Sequence, residues 1–319
     1  MPGEPAFIQA LRAIATTPAA RALADDAAVL QVGGETLVLT LDTVVESVHY
    51  LPADPAADVA WKLVAVNVSD LSAKGATPLG CLYSHALGED AWDKSFLLGL
   101  EEACGHFAIP LLGGDTVRMP DGAPRSFSLT AIGTAGKAAP VPCRSAARAG
   151  DEVWVSGTIG DAGLGLAVAA GKLPAAAGPA AALLSAYRRP SPEPRLGAAL
   201  APLVHAMMDV SDGLLVDAAR IADASGVSIA IEADAVPLSP ALISVAGKGL
   251  DSRMQAMTAG DDYELLFTAP AGQAAGIREA AEAVGHHVTR CGMVSQGSGL
   301  SLTHDGRPLP LPGRLGYQH

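Results

Sequence analysis

Residues 37–50 read LVLTLDTVVESVHY, an aliphatic run that reaches a carboxylate at Asp42, with Glu46 and His49 close behind. The first six residues, LVLTLD, predict a buried strand. Burial penalises the charge of a carboxylate at the end of such a strand, so something must compensate it. The pattern recurs. IPLLGGDT at 109–116 runs into Asp115 after two glycines, and LVHAMMDVSDG at 203–213 runs into Asp209 and Asp212. Those glycines let the backbone turn sharply or approach a ligand closely.

Between the first two runs, AADVAWKLVAVNVSDLSAKGATP (56–78) predicts a helix closed by Gly75 and Pro78. Its apolar stripe is Trp61, Val64, Val68 and Leu71; opposite lie Asn67, Asp70 and Lys74 at helical spacing. That polar row is either an exposed i,i+4 pair or a face turned toward something specific. PLGCLYSHAL and RSFSLTAIGTA read as strands, and AWDKSFLLGLEEACGHF as an amphipathic helix with Trp92, Phe96, Leu100, Cys104 and Phe107 on one side. Beyond a Gly-, Pro- and Ala-rich segment at 136–153, EVWVSG begins a second series. It continues with a glycine-rich turn into a helix at 157–170, a strand, turn and helix ending at Gly226, and the strands VSIAIEA, YELLFTA, HHVTRCGMV and LSLTHDG. Helices are expected near SPALISVA and GQAAGIREAAEAVG. Alternating strands and helices in both halves predict an α/β fold of two layered sheet-and-helix domains, 1–137 and 138–319, with the break near residue 138.

The 319 residues are half apolar, enough for a large core and more often two domains than one. The longest Ala/Leu-rich segments, such as KLPAAAGPAAALLSAY, are interrupted before the roughly 18 apolar residues a membrane span needs. MPGEPAFIQALR carries no charged leader with an apolar stretch behind it, so a cytoplasmic location is expected. Four scattered cysteines without CxxC spacing read as buried, reduced thiols. A net charge of -12 argues against nonspecific nucleic-acid binding and suits cations or simple solubility.

Aspartates gather at element ends: Asp25 and Asp26, Asp42, Asp70, Asp115, Asp209 and Asp212. Each alone could be a turn or capping residue. Together, brought to one sheet edge, they would repel strongly unless cations lay between them. Magnesium fits, because it takes oxygen ligands and is commonly shared between carboxylates and substrate phosphates. GxxxxGK[ST] and the protein-kinase HRD and DFG elements are absent from the sequence, so a nucleotide would be held in another way. GTIGDAGLG lacks GxGxxG order, and its favoured reading is close helix–strand packing. GxSxG and HExxH are absent too, which removes two common hydrolase designs.

TLDTVVESVHY resembles the TTDTLVEGVHF motif of the thiamine-monophosphate kinase family. DDAAVL, NVSDLSAKGATP, LLGGDT, VPCRSAARAGDEVWVSGTIGDAG, DVSDGL and GDDYELLFT accompany it in order, and the resemblance runs from GEPAFIQAL to LGYQH. The short motifs recur across the larger superfamily of ATP-dependent enzymes that includes aminoimidazole ribonucleotide synthetase; DTVVESVHY and the aromatic tail point to the kinase.

The resemblance implies that fold, with metal, ATP and dimer contacts in the first domain and the rest of the nucleotide and substrate site in the second. It implies ATP-dependent phosphorylation of thiamine monophosphate to thiamine diphosphate with several Mg2+ ions, in a homodimer. It places Asp26, Thr40, Asp42, Asp70, Asp115, Asp209 and Asp212 on metal positions, and Phe107, Gly114, Asp115, Arg144 and Ser211 on nucleotide positions. His49, Asp261 and Tyr317 match thiamine-phosphate contacts. Residue chemistry agrees: Arg144 can grip phosphate oxygens with a planar fork, His49 can donate to a phosphate, and Tyr317 can stack on a cationic ring. Three positions depart from the family pattern. Ala24 and Ser47 stand where glycine is usual, which raises the question of backbone angles that glycine tolerates, and Asp261 replaces a frequent Glu, shortening its reach.

Rival readings are a superfamily enzyme making an ATP-activated amide or amidine, and a nucleotide-binding protein without turnover. Selenophosphate synthetase is disfavoured by the lack of a reactive Cys in the N-terminal segment, and the hydrogenase-maturation relative by the ending GYQH.

Overall fold

A computed structural model describes residues 3–137 and 140–317; the expected break near residue 138 lies outside them. The first sheet is built from β1 (Ala28–Val32), β2 (Glu35–Val45), β3 (Ala76–Leu87), β4 (Leu111–Arg118) and β5 (Ser126–Ala135), in the order β1-β2-β5-β3-β4. Only β3 and β4 run parallel. Burial alternates residue by residue along β5, as it must for a strand between two neighbours with one face on a core. The predicted strand 37–42 is the middle of the longer β2. Ahead of this sheet stands a short helix, α1 (Glu4–Leu11).

Helix α2 (Ala56–Ala73) lies across the sheet, and α3 (Asp90–His106) packs beside it. Fifteen of the 18 residues of α2 are buried, because its far side meets the second domain. Trp61, Val64, Val68 and Leu71 join Phe96, Phe127 and Leu129 in the first core. Of its two expected closers, Gly75 ends the helix. Lys74 caps it, Gly75 turns at φ +61° where a Cβ would stand 2.7 Å from that of Ala201, and Pro78 falls inside β3. A register shift between Pro78 and Gly80 accommodates the proline, which cannot donate to a ladder.

The second domain holds α4 (Asp161–Ala169), α5 (Ala177–Arg188), α6 (Pro194–Leu200), α7 (Leu214–Ser225), α8 (Pro240–Ala246), α9 (Leu250–Thr258) and α10 (Ala274–Ala283). Its strands are β6 (Asp151–Ser156), β7 (Ala206–Asp209), β8 (Ser228–Glu232), β9 (Leu265–Pro270), β10 (Val288–Ser295), β11 (Gly299–His304) and β12 (Arg307–Leu309), ordered β12-β11-β8-β10-β6-β9-β7. Gly226 ends α7 at φ +64°, as expected. The glycines of GTIGDAGLG serve packing: a Cβ on Gly160 would meet Ala256, on Gly163 Ala259, and on Gly165 the Leu183 carbonyl. Cys81 and Cys291 are buried, Cys104 and Cys143 are half-buried, and all four are free. No helix among the described residues is long and apolar enough to cross a membrane.

Candidate active site

Strand β7 stands at the edge of the second sheet and packs against α2, so the end of β7 faces the carboxylate end of β2 across that helix. A cleft of about 1310 Å³ opens there. Asp26, Thr40, Asp42, His49 and Asp70 line it from the first domain, and Arg144, Asp209, Ser211, Asp212, Asp261 and Tyr317 from the rest of the chain.

At its floor, Asp26, Asp70 and Asp209 each offer an oxygen, all within 4.8 Å of one another. Ser69 Oγ donates to Asp209 at 2.7 Å, and Thr40 Oγ1 donates to Asp70. The backbone N–H of Asp42 donates to Asn67 Oδ1 at 3.1 Å, so the polar row on α2 faces the cleft and is no surface pair. Burial pushes Asp70 well above the usual carboxylate range, reinforced by Asp42 and Asp209. Asp209 is pushed up to about 7 by burial and then by Asp26, and Asp42 to about 6 by the same causes. Asp26 is the exception. Burial raises it, but Lys74 and Arg144 outweigh burial and hold it low. The floor thus collects oxygen donors whose charge the chain neutralises only in part. That donor set fits a hard divalent cation such as Mg2+.

The turn after β7 is held by a residue with no assigned role. Buried Asp217 accepts the backbone N–H groups of Ser211, Asp212 and Gly213 at 3.1, 3.2 and 3.2 Å. Asp212 caps nothing; its carboxylate pairs with Arg220 at 2.6 Å. Ser211 O in turn accepts from Asp261 N at 2.8 Å, and Val210 O from Tyr263 N at 2.8 Å, which hold Asp261 and Tyr263 at φ +71° and +53°. Asp261 meets Lys62 at 2.7 Å and accepts from Tyr263 Oη at 3.0 Å, so its shorter side chain is drawn toward the wall. Lys62 also donates to the His49 carbonyl at 3.0 Å, and His49 Nδ1 accepts from Val45 N at 3.0 Å. Tyr317 N donates to Asp212 O at 2.8 Å, which ties the aromatic tail to the same turn. Arg144 pairs with Asp26, while its buried Nε–H has no hydrogen-bond partner among the described residues.

Three predicted residues stand elsewhere. Phe107 is in the first core, 5.3 Å from the Trp61 ring. Gly114 and Asp115 lie on β4, the exposed edge strand, and a Cβ on Gly114 would strike the Tyr83 carbonyl. Of the two glycine replacements, Ser47 does adopt a left-handed φ of +65°, whereas Ala24 is ordinary at −114°. The sequence motifs give no site role to Lys62, Asp217 or Tyr263, and Lys74 enters only through the polar row of α2. The signal for Lys62 was a charge inside AWKLVAV, and for Asp217 a second acid one turn beyond SDG.

Residues 24–135 match the family of AIR synthase related protein, N-terminal domain, and 148–305 its C-terminal domain. The thiamine-monophosphate kinase of Caulobacter vibrioides is 39% identical over 311 residues, 95% of this chain and 86% of that protein. The chain belongs to the thiamine-monophosphate kinase family. It is accordingly an enzyme, a kinase. The Escherichia coli K12 member is 36% identical, covering 93% of this chain and 91% of its own length. Among solved structures, AaThiL complexed with AMPPCP and TMP superposes with a TM-score of 0.85 at 30% identity, covering 99% of this chain and 97% of that one.

Proposed function

We propose that the chain transfers the γ-phosphoryl group of ATP to thiamine monophosphate, giving thiamine diphosphate and ADP, the step that completes thiamine diphosphate biosynthesis. The observation that carries this reading is the convergence of acidic side chains from both domains on one cleft. Relatives named as thiamine-monophosphate kinases, and the complex with AMPPCP and TMP, support it.

Asp26, Thr40, Asp42, Asp70, Asp209 and Asp212 would hold the Mg2+ ions. Bound there, magnesium would neutralise the repulsion between two polyanions and the charge spreading over the transferred group. The chain's residues do the rest. Arg144, whose guanidinium lines the cleft, holds phosphate oxygens, and Ser211 on the same cleft offers a hydroxyl. His49, Asp261 and Tyr317 orient the acceptor, the carboxylate and the ring suiting a cationic heterocycle. A general base is unnecessary, because a phosphate monoester with a second pKa near 6 is already a dianion at neutral pH. Transfer is direct and in line, without a phosphoenzyme.

The protein is proposed to act in the cytoplasm as a homodimer formed through the first sheet, with the domain division near residue 138 separating that sheet from the rest. Leu111 and Leu112 on β4 and Leu82 on the neighbouring β3 are exposed, and so is Leu41 farther across the same sheet on β2, where it also lines the cleft. A second copy seated there would bring Gly114 and Asp115 toward a nucleotide. Purified protein with ATP, Mg2+ and thiamine monophosphate should yield thiamine diphosphate and ADP in equal amounts. ADP formed only with formylglycinamidine ribonucleotide would assign the chain to the purine rival, and a trapped phosphorylated residue would exclude direct transfer.

A further inference from the structure

Among the described cations that pair with the Asp25–Asp26 segment, Lys74 has no exposure at all: its side chain is 0% accessible, against 20% for Arg21 and 23% for Arg144. Its ammonium lies 2.6 Å from Asp26 Oδ2, also pairs with Asp25, and donates to the Met207 carbonyl at 3.1 Å. That set of two carboxylate oxygens and a backbone carbonyl is the kind of oxygen donor set a hard metal ion takes. Charges around the ammonium are unevenly shared. Arg21 and Lys74 face Asp25, Lys74 and Arg144 face Asp26, while Asp70 and Asp209 receive hydroxyl donors from Thr40 and Ser69.

We infer that Lys74 is a fixed cation of the acidic floor, standing against Asp25 and Asp26 where a further divalent ion would otherwise be needed and leaving metal binding to the side of Asp26 that faces Asp70 and Asp209. The inference rests on the magnesium reading of the cleft. Lys74 is a positioning residue: it touches no substrate and acts through Asp26. Lying between α2, the Asp25–Asp26 segment and the β7 carbonyl, it also lets the two domains meet over these carboxylates before any metal arrives.

The test is Lys74→Met, which keeps the bulk of the side chain and removes its charge. Mn2+ bound per chain is counted by equilibrium dialysis, and thermal melting is followed in EDTA and in Mg2+. Wild type should bind Mn2+ and lose little stability in EDTA. K74M should bind one more ion than wild type, and its melting temperature should fall by about 5–15 °C in EDTA, as for a buried charge stripped of its partner. Excess Mg2+ should recover most of that loss. A residue that merely filled space would lower both melting temperatures alike and leave the count unchanged, which would overturn the inference. The double variant K74M/D25N removes one charge of each sign and keeps the test decisive if K74M does not accumulate. It should fold in EDTA and still bind the additional ion; a wild-type count there overturns the inference. If wild type itself binds no Mn2+, the magnesium reading fails and this inference with it.

Discussion

The apolar runs LVLTLD and LLGGD are alike in sequence and opposite in surroundings. Strand β2 is paired on both sides, so Asp42, three residues before its end, sits under burial that pushes its carboxyl up to about 6. Strand β4 has a neighbour on one side only, and every residue from Thr116 to Arg118 around Asp115 is exposed. An apolar run that stops at an aspartate marks a strand, although both strands continue past it, to Val45 and to Arg118. It does not say whether that strand lies inside the sheet or at its rim, because strand order is set by long-range pairing rather than by local periodicity.

The widest separation between the two runs should come from chemistry within one chain. Asp70→Asn, beside Asp42 on the cleft floor, should lower kcat/KM at least about 100-fold, as expected when a metal ligand is lost. Asp115→Asn should do the same only if β4 of one copy serves the cleft of another. Subunit mixing decides that. Inactive D42N and D115N proteins, unfolded together and refolded, should regain about a quarter of wild-type activity, since half of the random dimers carry one intact site. No recovery, with D115N inactive alone, would place Asp115 in its own chain's cleft and remove the proposed role of the dimer.

Protonation gives a smaller, graded contrast. Asp42 and Asp209 have folded pKa values near 6 and 7 against an ordinary 3.8, so the folded state binds more protons than the unfolded chain between those limits. Stability contributed by these groups is therefore present at low pH and lost as pH rises from about 4 to about 7. In EDTA the melting temperature should be lower at pH 8 than at pH 5.5, and Mg2+ should narrow that gap by favouring the ionised carboxylates. D115N should leave the gap unchanged, whereas D209N should reduce it.

The smallest expected effect concerns Ser47. Its φ of +65° costs roughly 1–2 kcal/mol for an L-residue, and glycine would return part of that gain as chain entropy. Ser47→Gly should raise stability by less than about 1 kcal/mol in denaturant unfolding and leave kcat unchanged. A loss of stability would mean that the hydroxyl holds the turn before His49.

Much of this was legible in the sequence. Both domains, the helix over α2, the strand–turn–helix of DVSDGL and eleven cleft-lining positions follow from periodicity, turn chemistry and the family motif. What escaped depends on contacts between distant segments. Periodicity leaves Lys74 open between a surface pair and an inward face, and only Asp25 and Met207, brought from other elements, decide it. Asp217 looks like an ordinary helix acid until three backbone N–H groups turn toward it. Of the two residues expected to close α2, Gly75 ends it, with Ala201 approaching closely, and Pro78 falls inside the next strand. Phe107, to which the resemblance gives a nucleotide role, stands in the first core of its own chain with its ring on Trp61.

The account stands on metal ions held between Asp26, Asp70 and Asp209. Anomalous diffraction from crystals grown with Mn2+ and a non-hydrolysable ATP analogue tests this most directly. The predicted result is strong peaks about 2.1 Å from oxygens of Asp70 and Asp209, bridging to the analogue's phosphates. Peaks confined to the phosphates or the protein surface, with those carboxylates making no metal contact, would contradict it.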